Sequence, residues 1–231
     1  MKLKKTKPII RIAIDATAGS GSTSLALKLA KHYRLRYLDT GKVYRWCALQ
    51  IMKEKPKNKI KFLKKVIKRL NLNKLKNKKL IDDHVAQVTS QISKNPHLRK
   101  LVFNFQKKIA YDIPRGSSGS ILNGRDITHR IIPDATFKFY LTASLFERGR
   151  RRQKELKKYG KKVNLKEIIK SLKKRDESDK NRSRKQGKLE KTKESQLINT
   201  THLSINEGFL KVKRIIDRKL KKKYGRNYKA R

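Results

Sequence analysis

The stretch "PIIRIAIDATAGSGSTSLALKLAKHYRLRYLD", residues 8–39, constrains this chain more than any other. A β-branched run (8–15), bounded by a proline and a Gly/Ser turn, has the pattern of a buried strand. Leu25 and Leu29, with Ala26 and Ala30, then recur at helical spacing over 23–34, and "RYLD" (36–39) is a second short strand. Strand, glycine turn, helix and strand form a β-α-β opening, which commits the chain to a parallel sheet with helices on its faces.

The turn inside that unit carries the first chemical signal. "DATAGSGSTS" (15–24) follows the pattern G-x-x-x-x-G-K-[ST] incompletely. Ala16 holds the first glycine position and Gly21 the second, Ser22 stands where lysine belongs, and Thr23 supplies the hydroxyl. Backbone N–H groups of Ala18, Gly19, Ser20, Gly21, Ser22, Thr23 and Ser24 can cradle phosphate at a helix N-terminus without lysine. Thr23 can hold Mg²⁺ through its oxygen. Lys28 does not replace the missing charge, because six residues along a helix place it about 9 Å up the axis. Alone, the stretch reads equally well as a helix-cap turn.

Beyond the opening, "GKVYRWCALQIMK" (41–53) is helical, and residues 54–112 become lysine-rich helix with an apolar face at Ile60, Leu63, Ile67 and Leu70. Asn95–Pro96 marks the start of another helix. "IPRGSSGS" (113–120) is a loop; "SILNG" (120–124) and "FKFYLTA" (137–143) are strands. "SLFERGRRRQKELKKY" and "NLKEIIKSLKKRDESDKNR" (164–182) are helices. "SRKQGKLEKTKES" is polar, short of apolar residues and expected to be mobile; "QLINTT" and a basic amphipathic helix from about Ser204 to Lys223 follow. The expected fold class is therefore α/β, a parallel sheet flanked by helices with inserted helical lobes.

Charge narrows the partners. Lys+Arg 65 against Asp+Glu 18 gives a formal net charge of +47. Such a surface attracts RNA and other polyanions without specificity. The basic residues are spread along the whole chain, however, as solvated lysines on ordinary helices would be. One cysteine, Cys47, excludes an intramolecular disulfide and a Cys-rich metal site, and its apolar surroundings over 43–52 indicate a buried thiol. The start resembles a signal peptide superficially, but Arg11 and Asp15 interrupt its apolar part, and no later segment is long enough to span a bilayer. A soluble, cytoplasmic, monomeric protein that binds no membrane is expected.

Three further segments carry chemistry. In "RDESDKNR", Arg175, Asp179 and Arg182 fall at i, i+4 and i+7, so one helical face presents two guanidinium groups flanking a carboxylate. Arginine forks match phosphate oxygens, and a carboxylate matches ribose hydroxyls. The same spacing also suits a solvated ion-pair ladder. "NGRDITHRIIPDA" (123–135) runs from a strand end into Arg125 and Asp126, and "YLDTGKVYR" places Asp39, Thr40 and Gly41 after another, with Arg45 beyond. Charged groups at the carboxyl ends of parallel strands lie where α/β proteins bind ligands.

Read together, five stretches resemble the bacterial cytidylate kinase family, in order, from about Ile10 to Ile216. They are the loop 15–24, "YLDTGKVYR", "SQISKNPHLRKLVFNFQ" (90–106), "GRD…PDA…LTAS…ERGRRR" (124–152) and "RDESDKNR…INTTHLSINE" (175–207). The resemblance implies a P-loop nucleoside monophosphate kinase fold. Its core would span 1–53 and 114–231 with a mobile lid at about 150–190, and 54–113 would form an inserted lobe that binds the acceptor nucleotide. It implies transfer of the γ-phosphoryl group of ATP to CMP or dCMP with Mg²⁺. By the same resemblance Thr40, Arg45, Arg125 and Arg182 hold the CMP phosphate. Ser90, Arg99 and Asp126 read cytosine, Arg175 and Asp179 hold the sugar, and Arg151 lies against ATP. Arg45, Arg125, Arg182 and Arg151 would be the catalytic cations, because the chemistry needs charge neutralisation and in-line positioning rather than a general base.

The chain departs from the family at ligand-facing loops. Ser22 replaces the loop lysine, Thr128-His129 stand where Gly-Thr is usual, "SRKQGKL" replaces A-V-A-P-L and is two residues longer, and "IPRGSSGS" is unusually rich in Gly and Ser. The resulting expectation is a cytidylate kinase with impaired turnover. The rival expectation is a non-catalytic nucleotide- or RNA-binding protein that keeps the kinase fold.

Overall fold

A computed structural model describes residues 9–160 and 162–225. The basic start of the chain, with its superficial likeness to a leader, and Pro8 lie outside the described residues. Five strands form one sheet: β1 (Ile10–Ala16), β2 (Leu35–Asp39), β3 (Gly119–Gly124), β4 (Phe137–Thr142) and β5 (Gln196–Asn199). Their order is β2-β3-β1-β4-β5, and every pairing is parallel. The helices are α1 (Ser22–Tyr33), α2 (Thr40–Glu54), α3 (Lys59–Lys68), α4 (Asp83–Ile92), α5 (Pro96–Tyr111), α6 (Leu145–Lys157), α7 (Leu165–Asn181) and α8 (Ile205–Tyr224).

The period of two in the strands divides the interior into two layers. Ile10, Ile12 and Ile14 enter an apolar cluster with Leu25 and Leu29 of α1 and Val212 and Ile216 of α8. Ala13, Leu38 and Leu122 enter the opposite cluster, with Val43 and Trp46 of α2 and Val102 and Ile109 of α5. Cys47 is buried there, and loss of solvation pushes its thiol up to about 12, so it is an inert packing residue.

The α/β expectation is met. Residues 54–113 carry α3, α4 and α5, and their Leu63, Ile67 and Leu70 share the cluster of Val43 and Leu122. Between α3 and α4 the chain makes two 3₁₀ turns, Leu72–Lys76 and Lys78–Ile81, rather than continuous helix. Asn71 and Asn77 cause this, since their side chains accept from the backbone N–H groups of Lys74 and Lys79 and compete with the α-helical ladder.

Two expectations need correction. Helix α7 ends at Asn181, and Arg182 takes an extended backbone (φ −67°, ψ 150°), so the helical i+7 spacing does not reach it. The segment after it is less polar in its packing than its composition suggests. It makes a 3₁₀ turn at Arg184–Gln186, buries Leu189 to 2% exposure and returns a hydrogen bond from Leu189 N–H to the Asp179 carbonyl at 2.9 Å. Among the described residues no helix is long and apolar enough to cross a membrane.

Because all five strands are parallel, Ala16, Asp39, Gly124, Thr142 and Asn199 end at one edge of the sheet. The order in which strands are added switches sides at β1, with β3 on one side and β4 on the other, and the crevice at such a switch point is where open parallel sheets bind ligands.

Candidate active site

The loop after β1 turns sharply at two left-handed glycines, Gly19 (φ +78°) and Gly21 (φ +84°). Gly21 precedes α1 and leaves that helix without a side-chain cap, whereas α2 to α8 each have one, from Asp39, Asn58, Asp82, Asn95, Ser144, Asn164 and Ser204. An uncapped start leaves the first N–H groups of α1 to a ligand, which is what an anion cradle requires. Arg148 of α6 holds this loop: it is 5% exposed, its Nη1 donates to the Ala18 carbonyl at 3.1 Å, and its Nη2 meets Asp176 at 2.6 Å. Sequence reasoning did not single out Arg148. Its signal was the arginine-rich "ERGRRR" run, whose members look alike until packing separates them.

Ser22 sits at the first position of α1, with its hydroxyl 3.5 Å from Asn123 Nδ2. Lys28 is drawn the other way, to Asn206 on α8, and lies 5.9 Å from the Phe209 ring centre. Besides Arg148, Arg151 brings a cation to the cradle. Its Nη1 lies 3.5 Å from the Ser20 carbonyl, while Glu147, the Thr200 hydroxyl and the Thr200 and Leu203 carbonyls hold the rest of the guanidinium. Thr200 also donates to the Ser20 carbonyl at 2.8 Å, so the end of β5 braces the loop.

Thr23 Oγ1 donates to Asp39 Oδ2 at 3.2 Å. Asp39 at the end of β2 thus brings a carboxylate to the loop hydroxyl, a role that its sequence position alone did not reveal. A hydroxyl and a carboxylate, both oxygen donors, fit a hard cation such as Mg²⁺ that keeps waters and substrate phosphates as its other ligands. Among the described residues there is no group of three or more His, Cys, Asp or Glu side chains placed to hold a metal ion.

On the acceptor side, Thr40 is buried and donates to the Asn123 carbonyl at 2.9 Å, and Arg45 Nη1 meets the Leu80 carbonyl at 2.7 Å. Asp179, 2% exposed, joins two arginines that are far apart in sequence: Arg125 Nε at 2.6 Å and Arg182 at the end of α7. The ladder between Arg175 and Asp179 therefore does not form. Arg175 is instead exposed, with no hydrogen bond or counter-ion among the described residues. Protein packed around the base of its side chain and the nearby Arg125, Arg45, Arg152 and Arg182, which repel it, lower its pKa from the ordinary arginine value. Loss of solvation likewise lowers Arg125 and Arg182, the second also through Arg99 and Arg125. An anion among these groups relieves both penalties at once.

Asp126 is 7% exposed and serves two guanidinium groups, Arg130 Nη1 at 3.0 Å and Arg99 Nη2 at 3.5 Å. Arg99 also lies 5.6 Å from the centre of the Tyr44 ring. Gly187 (φ +77°) lies directly against this pair: a Cβ there would stand 2.0 Å from Arg99 Nη2 and 2.7 Å from Asp126 Oδ2. Of the expected site residues, Ser90 stands apart. It is exposed on α4, and its carbonyl, not its hydroxyl, is engaged, by the Ser93 hydroxyl at 3.2 Å. The turn carrying Arg125 and Asp126 runs into a π-helical turn, Ile127–Ile131, fastened from below by the buried carboxylate of Asp15.

Comparison with known proteins identifies the family. The family model described as cytidylate kinase matches residues 12–218. The cytidylate kinase of Bartonella quintana is 38% identical over 204 residues, covering 88% of this chain and 92% of its own. That of Bartonella tribocorum is 36% identical over 208 residues, with 88% and 92% covered, and that of Mesorhizobium japonicum is 32% identical over 210, with 90% and 94% covered. A solved structure of an uncharacterised protein from Eubacterium ventriosum shares the fold at a TM-score of 0.52 and 18% identity, covering 90% of this chain and 98% of its own. With an uncapped glycine loop at the head of α1, an arginine cluster around Asp179 at the same sheet edge, and these matches over most of its length, the chain belongs to the cytidylate kinase family.

Proposed function

We propose that this chain transfers the γ-phosphoryl group of ATP to CMP or dCMP. The observation that carries the reading is Arg175, a guanidinium without a counter-ion, crowded by Arg45, Arg125, Arg152 and Arg182 at the edge that also bears the uncapped start of α1. A protein keeps such a repulsive cluster where an anion completes it.

In this reading the N–H groups at the start of α1 bind the donor phosphates, and Arg151 adds positive charge beside Gly21. Arg45, Arg125 and Arg182 grip the acceptor phosphate with Thr40, and Asp179 sets the spacing of the last two while facing the sugar with Arg175. Asp126 accepts from the exocyclic amine of cytosine, and Arg99 donates to its ring acceptors. Thr23, with Asp39 behind it, would hold Mg²⁺, which would neutralise charge on the donor phosphates. The acceptor phosphate is already an anion, so alignment and charge stabilisation suffice and no protein base is needed. Ser22 in place of lysine removes one fixed positive charge from the transferring group and lowers turnover without disturbing the acceptor residues.

The test is a coupled assay of acceptor-dependent ADP production. CMP and dCMP should support turnover with a kcat/KM well above that of UMP and AMP. Equal rates with all four acceptors, or ADP production independent of any acceptor, would overturn the reading.

A further inference from the structure

A cavity of about 450 Å³ opens beside Arg99, between the start of α5, the turn after β3 and the 3₁₀ turn after α7. Lys94, Arg99, Lys100, Arg130 and Lys185 line it, and no acidic residue does. Lys94, Lys100 and Lys185 are exposed and have no ion pair among the described residues. Arg99 and Arg130 have only the single carboxylate of Asp126 between them, at 3.5 and 3.0 Å. Arg99 is 6% exposed, and its Nε has no hydrogen-bond partner. A buried guanidinium N–H without an acceptor, at the wall of a cavity whose charged lining residues are all cations, is best satisfied by an anion from outside.

The acceptor residues Arg45, Arg125, Arg175 and Arg182 do not line this cavity, so it is distinct from the phosphate side of the site described above and meets it through Arg99 and Arg130, which share Asp126. The chemistry of its walls selects the ligand. Phe103, the aromatic residue at the cavity, already has Arg130 4.9 Å and Lys107 5.5 Å from its ring centre, which leaves little for a nucleobase to stack on. A single phosphate would leave most of the five cations unpaired. We propose that the cavity binds a polyphosphate chain, and that its occupancy weakens CMP binding through Arg99.

The coupling follows from the Arg99–Asp126 contact, which at 3.5 Å is stretched to the limit of a hydrogen bond. An anion at Nε draws the guanidinium outward and leaves Asp126 to Arg130 alone, which disturbs both groups assigned to cytosine. The coupling rests on that assignment; the cavity's affinity for polyphosphate does not. By linkage, CMP must weaken polyphosphate binding by the same factor.

Inorganic triphosphate is the probe, titrated by calorimetry without Mg²⁺ at fixed ionic strength into the wild-type chain and into Lys100→Glu/Lys185→Glu. The expected result is a saturable site, in addition to any binding at the β1 loop, that is weakened at least tenfold in the double variant and weakened by saturating CMP as much as triphosphate weakens CMP. CMP binding without triphosphate should be the same in both proteins. Equal triphosphate affinity in both proteins, or displacement by ATP but not by CMP, would place the probe in the β1 loop and overturn the proposal. Triphosphate binding that depends on Lys100 and Lys185, in a chain that binds no CMP, would overturn the acceptor reading and the coupling while supporting the site.

Discussion

Asp15 Oδ2 accepts both the N–H of Thr128 at 3.1 Å and its hydroxyl at 2.5 Å, while Oδ1 accepts the N–H of Ile127 at 2.7 Å. These bonds tie β1, which leads into the phosphate loop, to the turn that carries Arg125 and Asp126. Thr128 stands where the family usually has glycine, and its hydroxyl adds a bond that glycine does not offer. Burial nonetheless dominates and raises the Asp15 carboxyl to about 6, with the bonds from Thr128 and Ile127 holding it lower than burial alone would.

Asp15 therefore makes stability depend on pH in a direction opposite to most carboxylates. Its pKa in the folded chain, about 6, exceeds the ordinary value near 3.8. The folded state thus binds the proton more tightly, and the contribution is full below about pH 4 and lost as pH rises through 6. Unfolding free energy by urea titration, compared between wild type and Asp15→Asn, should show a difference that shifts by roughly 3 kcal/mol between pH 3 and 8. A pH-independent difference would mean that Asp15 titrates normally. Thr128→Val should destabilise by about 1–2 kcal/mol near neutral pH, since it removes a hydrogen bond to a charged acceptor.

Arg175 and Asp179 separate binding from stability. Arg175→Ala should leave the unfolding midpoint unchanged or raise it, because no bond is lost and repulsion from the neighbouring arginines is relieved, while KM for CMP rises between about ten- and a hundredfold, the loss of a charge-assisted contact. Asp179→Asn should do the reverse in part: it leaves Arg125 and Arg182 without their shared carboxylate and lowers the melting temperature. Inorganic phosphate should then stabilise the Asp179→Asn chain more than the wild type. Equal phosphate responses in a thermal-shift titration would argue against an anion site at this cluster.

Ser22→Lys restores the charge that the loop lacks. A preorganised donor of that kind is worth about 10²–10³ in kcat, so turnover with CMP should rise toward that factor, with a smaller change in KM for CMP. Arg151, already beside Gly21, reduces the gain. Steady-state kinetics of Ser22→Lys and of Ser22→Lys/Arg151→Ala together measure how much of the charge Arg151 supplies. No change in kcat or in ATP affinity would mean that the loop is an ordinary helix cap.

Gly187→Ala tests the wall over the base-reading pair. The new Cβ conflicts with Arg99 and Asp126 and with a left-handed backbone, so both must move. The ratio of kcat/KM for CMP over UMP should fall, with KM for ATP unaffected. If the ratio survives while stability drops, Gly187 is a structural residue only.

Much of this protein was written locally. The β-branched run, the glycine turn and the leucine spacing of 25 and 29 determined β1, the loop and α1, because strand and helix periods are set by backbone geometry and do not wait for tertiary contacts. Thr23, Arg125 and Asp126 were legible as site candidates for the same reason, since they follow strands whose ends a parallel sheet must align. Packing decided the rest. Which arginine of "ERGRRR" would clamp the loop, Arg148 rather than its neighbours, depended on α6 meeting the Ala18 carbonyl. That Asp179 would pair with Arg125, 54 residues away, and leave Arg175 unpaired depended on where α7 ended against β3. Gly187 gave no local signal beyond a turn, and only the fold laid it on Asp126. Charge pairing and desolvation are set by distance in space, and the order of residues along the chain does not specify that distance until the sheet is assembled.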